Sequence, residues 1–226
     1  YRSGLRLTDV IPSADELKPN ADHRYVLVRR EVTGTRRVQA LSADLDAAWR
    51  APTSVDNPRL EPRDRIYVFD LENGRRAILD PILQELRLQA VSAEPSQIVR
   101  VSGRVRVPGE YPLERGMTVS DLIRAGGGLS EEAYGGEADL ARYEVRDGQS
   151  RKTDVVKIDL NRALSGELSA DLALAPFDFL VIKEISQWTE QETVRLEGQV
   201  RFPGEYPIER GETLRSVIAR AGGLTT

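Results

Sequence analysis

Residues 99–129 read VRVSGRVRVPGEYPLERGMTVSDLIRAGGGL, and residues 194–224 read VRLEGQVRFPGEYPIERGETLRSVIARAGGL. The two align without a gap, and about eighteen of the thirty-one positions are identical. A fixed period means one structural unit used more than once, so the fold is read per repeat. Tandem copies of a small module more often build surfaces, rings or spacers than active sites.

Working outward, a partial copy opens the chain. Gly4-Leu5-Arg6-Leu7-Thr8-Asp9-Val10-Ile11 matches Gly116-Met117-Thr118-Val119-Ser120-Asp121-Leu122-Ile123. Leu60-Glu61-Pro62-Arg63-Asp64 matches Leu174-Ala175-Pro176-Phe177-Asp178, each followed by a strand-like alternation. Between them, Asp44-Leu45-Asp46-Ala47-Ala48 parallels Asp159-Leu160-Asn161-Arg162-Ala163. Residues 1–70 therefore read as the back portion of one unit, 99–185 as a complete unit and 194–226 as the front portion of a third. A chain that begins and ends in mid-repeat is expected to be a piece of a longer protein.

Within the unit, Val99, Val101, Gly103 and Val105 alternate as a half-buried strand. Pro108-Gly109 and Pro203-Gly204 read as type II turns, with Pro presetting φ and Gly supplying a positive φ, and the chain returns as a β-hairpin. Thr118 and Asp121 read as a capping box ahead of a helix whose Val119, Leu122 and Ile123 face inward. Gly127-Gly128 and Gly222-Gly223 then stop the helix in the left-handed conformation. A phosphate-cradling loop would precede a helix, whereas these glycines follow one. Strands near 139–146 and 152–158, a short helical turn near 159–165 and a strand at 179–183 complete an α+β, β-grasp-like layout. Residues 71–98 form a connector: Ile78, Leu79, Ile82, Leu83 and Leu86 have helical spacing, and Pro81 marks an early turn or a bend.

The chain has 226 residues, 30% charged and 40% hydrophobic, with a net charge of −4. Basic and acidic residues are interspersed, so the stripe that nucleic acid requires is missing. There is no apolar run of membrane-spanning length. With no cysteine and one histidine, His23, thiolate metal sites and His-relay catalysis have no residues to use. Asp9 and Asp121 read as helix-capping acids, and Asp64 and Asp178 as turn residues bonding backbone N–H groups. Trp49 and Trp188 read as packing residues. No catalytic residue, metal ligand or cofactor is expected.

The run G-x-V-x-x-P-G-x-Y-P-[LI]-x-x-G-x-T-[VL], ending in A-G-G-L or A-G-G-G-L, resembles the soluble-ligand-binding β-grasp (SLBB) family. Several units joined by an apolar helix resemble outer-membrane polysaccharide export proteins of the Wza type. The resemblance implies a periplasmic, outer-membrane-associated, largely structural role in capsule or exopolysaccharide export. It further implies a homo-oligomeric ring, polysaccharide in the passage, and an inner-membrane co-polymerase or synthase as partner. Membrane contact would come only through parts outside this chain.

Sugar contact is read onto Arg106, Tyr111 and Arg115 and their counterparts Arg201, Tyr206 and Arg210. The competing reading half-buries the tyrosines against the helix and leaves the arginines as a solvated face. A small-ligand (sugar) module and an envelope adaptor are the alternative functions. By repeat logic, residues 194–226 of one chain are expected to be able to complete residues 1–70 of another.

Overall fold

In the computed structural model, which describes residues 4–71, 73–91, 94–146, 150–186, 192–209 and 211–225, Val99 and Val101 are buried with Arg100 exposed between them. That alternation makes Ile98–Gly103 a strand with one face on the core. In chain order the strands are β1 Ala21–Glu31, β2 Val38–Ala43, β3 Arg65–Asp70, β4 Ile98–Gly103, β5 Gly109–Pro112, β6 Ala133–Arg146, β7 Ser150–Asp159, β8 Phe179–Glu184, β9 Thr193–Leu196 and β10 Gly204–Pro207. The helices are α1 Leu7–Val10, α2 Leu45–Arg50, α3 Arg75–Leu88, α4 Val119–Ala125, α5 Leu160–Leu164 and α6 Leu214–Arg220. The fold is α+β. The chain divides into two compact units, Tyr1–Ile185 and Ser186–Thr226.

The complete repeat is a five-stranded sheet in the order β5-β4-β8-β6-β7. Its one parallel pair is β4 with β8, in register at Val101 and Leu180; the other neighbours are antiparallel. Residues 4–71 form a three-stranded sheet in the order β2-β1-β3. That order corresponds to β7-β6-β8, and the likeness extends to single hydrogen bonds. Leu7 N–H donates to Pro58 O at 3.1 Å, as Val119 N–H does to Leu172 O at 3.0 Å. Asn57 Oδ1 accepts from Thr8 N–H at 3.0 Å, as Asp171 Oδ1 accepts from Ser120 N–H at 2.9 Å. Asp44 and Asp159 cap α2 and α5 in the same way. The back portion of a repeat, residues 4–71, thus folds to the same pattern.

Helix α4 has the expected capping box. Thr118 N–H donates to Asp121 Oδ2 at 3.0 Å, and Asp121 N–H donates back to the Thr118 hydroxyl. Gly127 and Gly128 close the helix at φ +80 and +90. Gly128 N–H reaches Ile123 O and Gly127 N–H reaches Arg124 O, both at 2.9 Å, which is a Schellman end. Gly222 and Gly223 end α6 with the same two bonds, to Ala219 O and Ile218 O.

The type II turn at Pro108-Gly109 does not form. Gly109 lacks a positive φ and opens β5, just as Gly204 follows Pro203 and opens β10. The positive φ falls earlier, at Gly103 and Gly198. The reason is a competing set of backbone partners. Arg106 N–H donates to Gly128 O at 3.1 Å and Val107 N–H to Gly126 O at 2.8 Å. The loop is therefore wide, and it is clipped onto the glycine end of α4. Arg201 and Phe202 make the equivalent bonds to Gly223 O and Ala221 O, both at 3.0 Å.

Helix α3 buries Leu79, Ile82, Leu83 and Leu86 on one face, each contributing roughly 2 kcal/mol. Its neighbours come from both repeats. One continuous core joins Tyr25, Leu27 and Phe69 of the first repeat, the α3 leucines, and Val99, Tyr111 and Leu122 of the second. The helix lies inside this shared core, while Leu7, Ile11, Val26, Ala43 and Leu45 form a second cluster within the first repeat. The Ser186–Thr226 unit has a small core of its own, Leu196, Val200, Val217 and Ala221.

Candidate functional site

Two of the buried charged residues of the first unit, Asp22 and Arg75, meet where its two repeats join. Arg75 opens α3 and is buried, with Asp22 on β1 as its ion-pair partner and Ala125 O at the end of α4 as a second acceptor. Its guanidinium lies over the Phe69 ring at 5.1 Å and the Tyr25 ring at 5.6 Å. One side chain thus ties β1, α3 and α4 together. A buried pair of this kind is costly to break singly, because the survivor keeps its desolvation penalty.

Glu114, between β5 and α4, also reaches from the second repeat to the first. Its Oε2 accepts from Ser42 N–H on β2 at 2.5 Å, while Oε1 is enclosed without a partner among the described residues. Burial pushes the Glu114 carboxyl up to about 6, against the opposing pull of the Ser42 hydrogen bond and Arg124. The Tyr25 hydroxyl is also buried without a partner among the described residues. Desolvation, followed by the Glu114 charge, holds its pKa well above the usual phenol range. Arg124 reaches from α4 to Arg24 O at 2.8 Å and to Asp121 at 3.0 Å.

Beside this joint opens a cleft of about 670 Å3, within the size range of small-ligand sites. First-repeat residues on its wall include His23, Arg24 and Asp46; the second repeat contributes Arg106, Ser120, Ile123 and the Gly127-Gly128 backbone. His23 packs edge-on against Trp49 at 5.5 Å, and its Nδ1 is 3.5 Å from Asp46 Oδ1. Trp49 donates its indole N–H to Ile11 O at 2.9 Å, which satisfies it as a packing residue.

The residues read as sugar contacts differ in their surroundings. Arg106 is exposed on the cleft wall. Arg115 is exposed outside it. Tyr111 is 1% exposed, stands edge-on to Tyr25 at 6.2 Å and donates to Val107 O at 2.7 Å. Burial pushes its pKa up to about 12, despite Arg75 nearby. Its ring faces are used inside the core and are closed to a sugar. In the second unit Tyr206 is half-buried and donates to Phe202 O at 2.6 Å, with the Arg220 guanidinium 6.0 Å above its ring. Arg201 is exposed. Arg210 and Trp188 lie outside the described residues.

Sequence reasoning missed the whole joint. Arg75 and Asp22 carry no motif, and only their tertiary neighbours set them apart from surface charges. A second missed feature did have a signal. Asp64 and Asp178 bond the N–H of Glu61 and Ala175 at 2.8 Å, as turn residues should. Each is also clamped by an arginine from the next strand, with Arg30 Nη2 at 2.7 Å and Arg142 Nη2 at 2.6 Å. The preceding residues, Arg63 and Phe177, both take a positive φ. The repeated Leu-x-Pro-x-Asp was the pointer to this shared device.

Among the described residues no cluster of three metal-ligating side chains occurs, and no helix is long and apolar enough to cross a membrane.

The SLBB domain model matches residues 98–154 and 193–226. These segments contain the two hairpin-and-helix fronts described above, and the match supports an SLBB-domain protein. It covers under half of the chain; residues 4–71 share the arrangement by geometry. The comparison with curated proteins finds no match. SLBB domains are found in polysaccharide export proteins, which supports a general ligand-binding or export role.

Proposed function

We propose that this chain is a non-catalytic structural segment of a capsule or exopolysaccharide export protein of the Wza type, working in the periplasm beside the outer membrane. In this reading the full-length protein is a homo-oligomeric ring through which polysaccharide passes, fed by an inner-membrane co-polymerase or synthase. The observation that supports it is the shared core of the first unit. Two repeats are locked in one orientation by α3 and the buried Arg75–Asp22 pair. A conduit wall needs fixed spacing between modules, which a shared core supplies.

The test is deletion of the parent gene in its host, with polymer measured at the surface and inside. Loss at the surface, with retention or feedback shutdown inside, is expected. Unchanged surface polymer would sink the export reading. A second reading, a small-ligand module, is favoured by the cleft at the joint.

A further inference from the structure

Two guanidinium groups on the joint cleft are unpartnered among the described residues. Arg24 and Arg106 line the same opening from opposite repeats, both exposed, and neither has an ion-pair or side-chain hydrogen-bond partner among the described residues. Most of the cleft's other charges are already spent. Asp22 is held by Arg75, and Arg124 is held by Asp121 and by Arg24 O. Asp46 stands beside His23, which offsets its charge only when protonated, so one carboxylate faces the two arginines. The two free arginines therefore leave the opening with an excess of positive charge.

Its floor is different in kind. Leu129 is half-buried there beside the Gly127-Gly128 backbone, while Ile123 is 2% exposed and belongs to the core. Leu71 and Leu164 at the rim are 43% and 45% exposed. An apolar surface suits the C–H face of a pyranose ring, and a guanidinium suits a carboxylate through paired N–H donors. Inorganic anions satisfy the second feature alone.

We infer that this cleft binds a carboxylated saccharide segment, with Arg24 and Arg106 on its acidic groups and Leu71, Leu129 and Leu164 against its ring. The choice of saccharide rests on the export reading; the choice of an acidic group rests on the two arginines. The site is made by two repeats together, so neither repeat presents it alone.

The test is calorimetric titration of the whole chain with tetragalacturonate, maltotetraose and inorganic phosphate, at low salt. Saturable binding of tetragalacturonate, well ahead of the other two, is expected. Arg24→Gln and Arg106→Gln should each weaken it about tenfold, the scale of one lost charge-assisted bond. Arg76→Gln, an exposed arginine on α3 outside the cleft, should leave it within about twofold. Unchanged unfolding midpoints in all three variants separate binding from folding. Absence of saturable binding, equal binding of maltotetraose or phosphate, or an equal loss in Arg76→Gln would overturn the inference. The gene deletion is read separately: unchanged surface polymer with tetragalacturonate bound would remove the export role and keep the cleft.

Discussion

At Gly103 the chain leaves β4 with φ +81, and an ideal Cβ there would collide with the Ile182 carbonyl oxygen of the parallel strand β8. Neither backbone can give way without breaking the β4–β8 register. Gly103→Ala is therefore expected to destabilise the first unit by about 3 kcal/mol or more, read as a lowered denaturation midpoint. Gly198 holds the same place in the second unit, with φ +87 and open space where a Cβ would go. Gly198→Ala should cost only the left-handed backbone penalty, about 1 kcal/mol. Glu114 gives a prediction in pH. Its carboxyl titrates at about 6 in the fold against an ordinary 4.5, so the native state holds this proton more tightly than the unfolded chain. Stability from this group is full below pH 4.5, falls as pH rises to about 6, and is lower by about 2 kcal/mol above that. Glu114→Gln should remove that slope from the difference between denaturation curves at pH 4.5 and pH 7. A slope unchanged in the variant would place the titration elsewhere. None of this was legible in the sequence, where Glu114 is one acid in an exposed-looking Glu-Arg-Gly.

At the scale of elements, the caps and stops of the short helices could be read directly. Thr118 and Asp121 are three apart, and glycines follow the helix, because capping is a local matter settled within a few residues. Thr118→Ala should lower stability by about 1 kcal/mol in chemical denaturation. The hairpin loop was not legible, because its geometry is set from a distance. Pro108-Gly109 is a good local turn sequence, yet residues 106 and 107 bond to the end of α4 some twenty positions on. Long-range backbone bonds won over the local preference. The Leu-x-Pro-x-Asp turns show the middle case. Their aspartates were read correctly as turn acids, and the arginines that clamp them, Arg30 and Arg142, sit on strands paired across the sheet.

For the whole molecule, the repeat told how many units to expect and where each begins, and it said nothing of how they join. Periodicity fixes which face of α3 is apolar; it does not say that both repeats cover that face. The Arg75 clamp is invisible for the same reason, since Asp22 and Ala125 lie about fifty residues away on either side. The candidate cleft inherits this, because only Arg106 of its two free arginines belongs to the repeated motif. Because the core around α3 draws on both repeats, the first unit is expected to unfold as one body, with the Leu7–Leu45 cluster of the first repeat carried along. Arg75→Ala should cost about 3–5 kcal/mol, since it leaves Asp22 buried and unpaired. Native-state hydrogen exchange on the whole chain, with and without Arg75→Ala, tests this directly. The amides of Val26, Leu27 and Val28 and those of Val99 and Val101 are expected to open with one common free energy, lowered together in the variant. Separate opening energies, with only the first set lowered in Arg75→Ala, would contradict it.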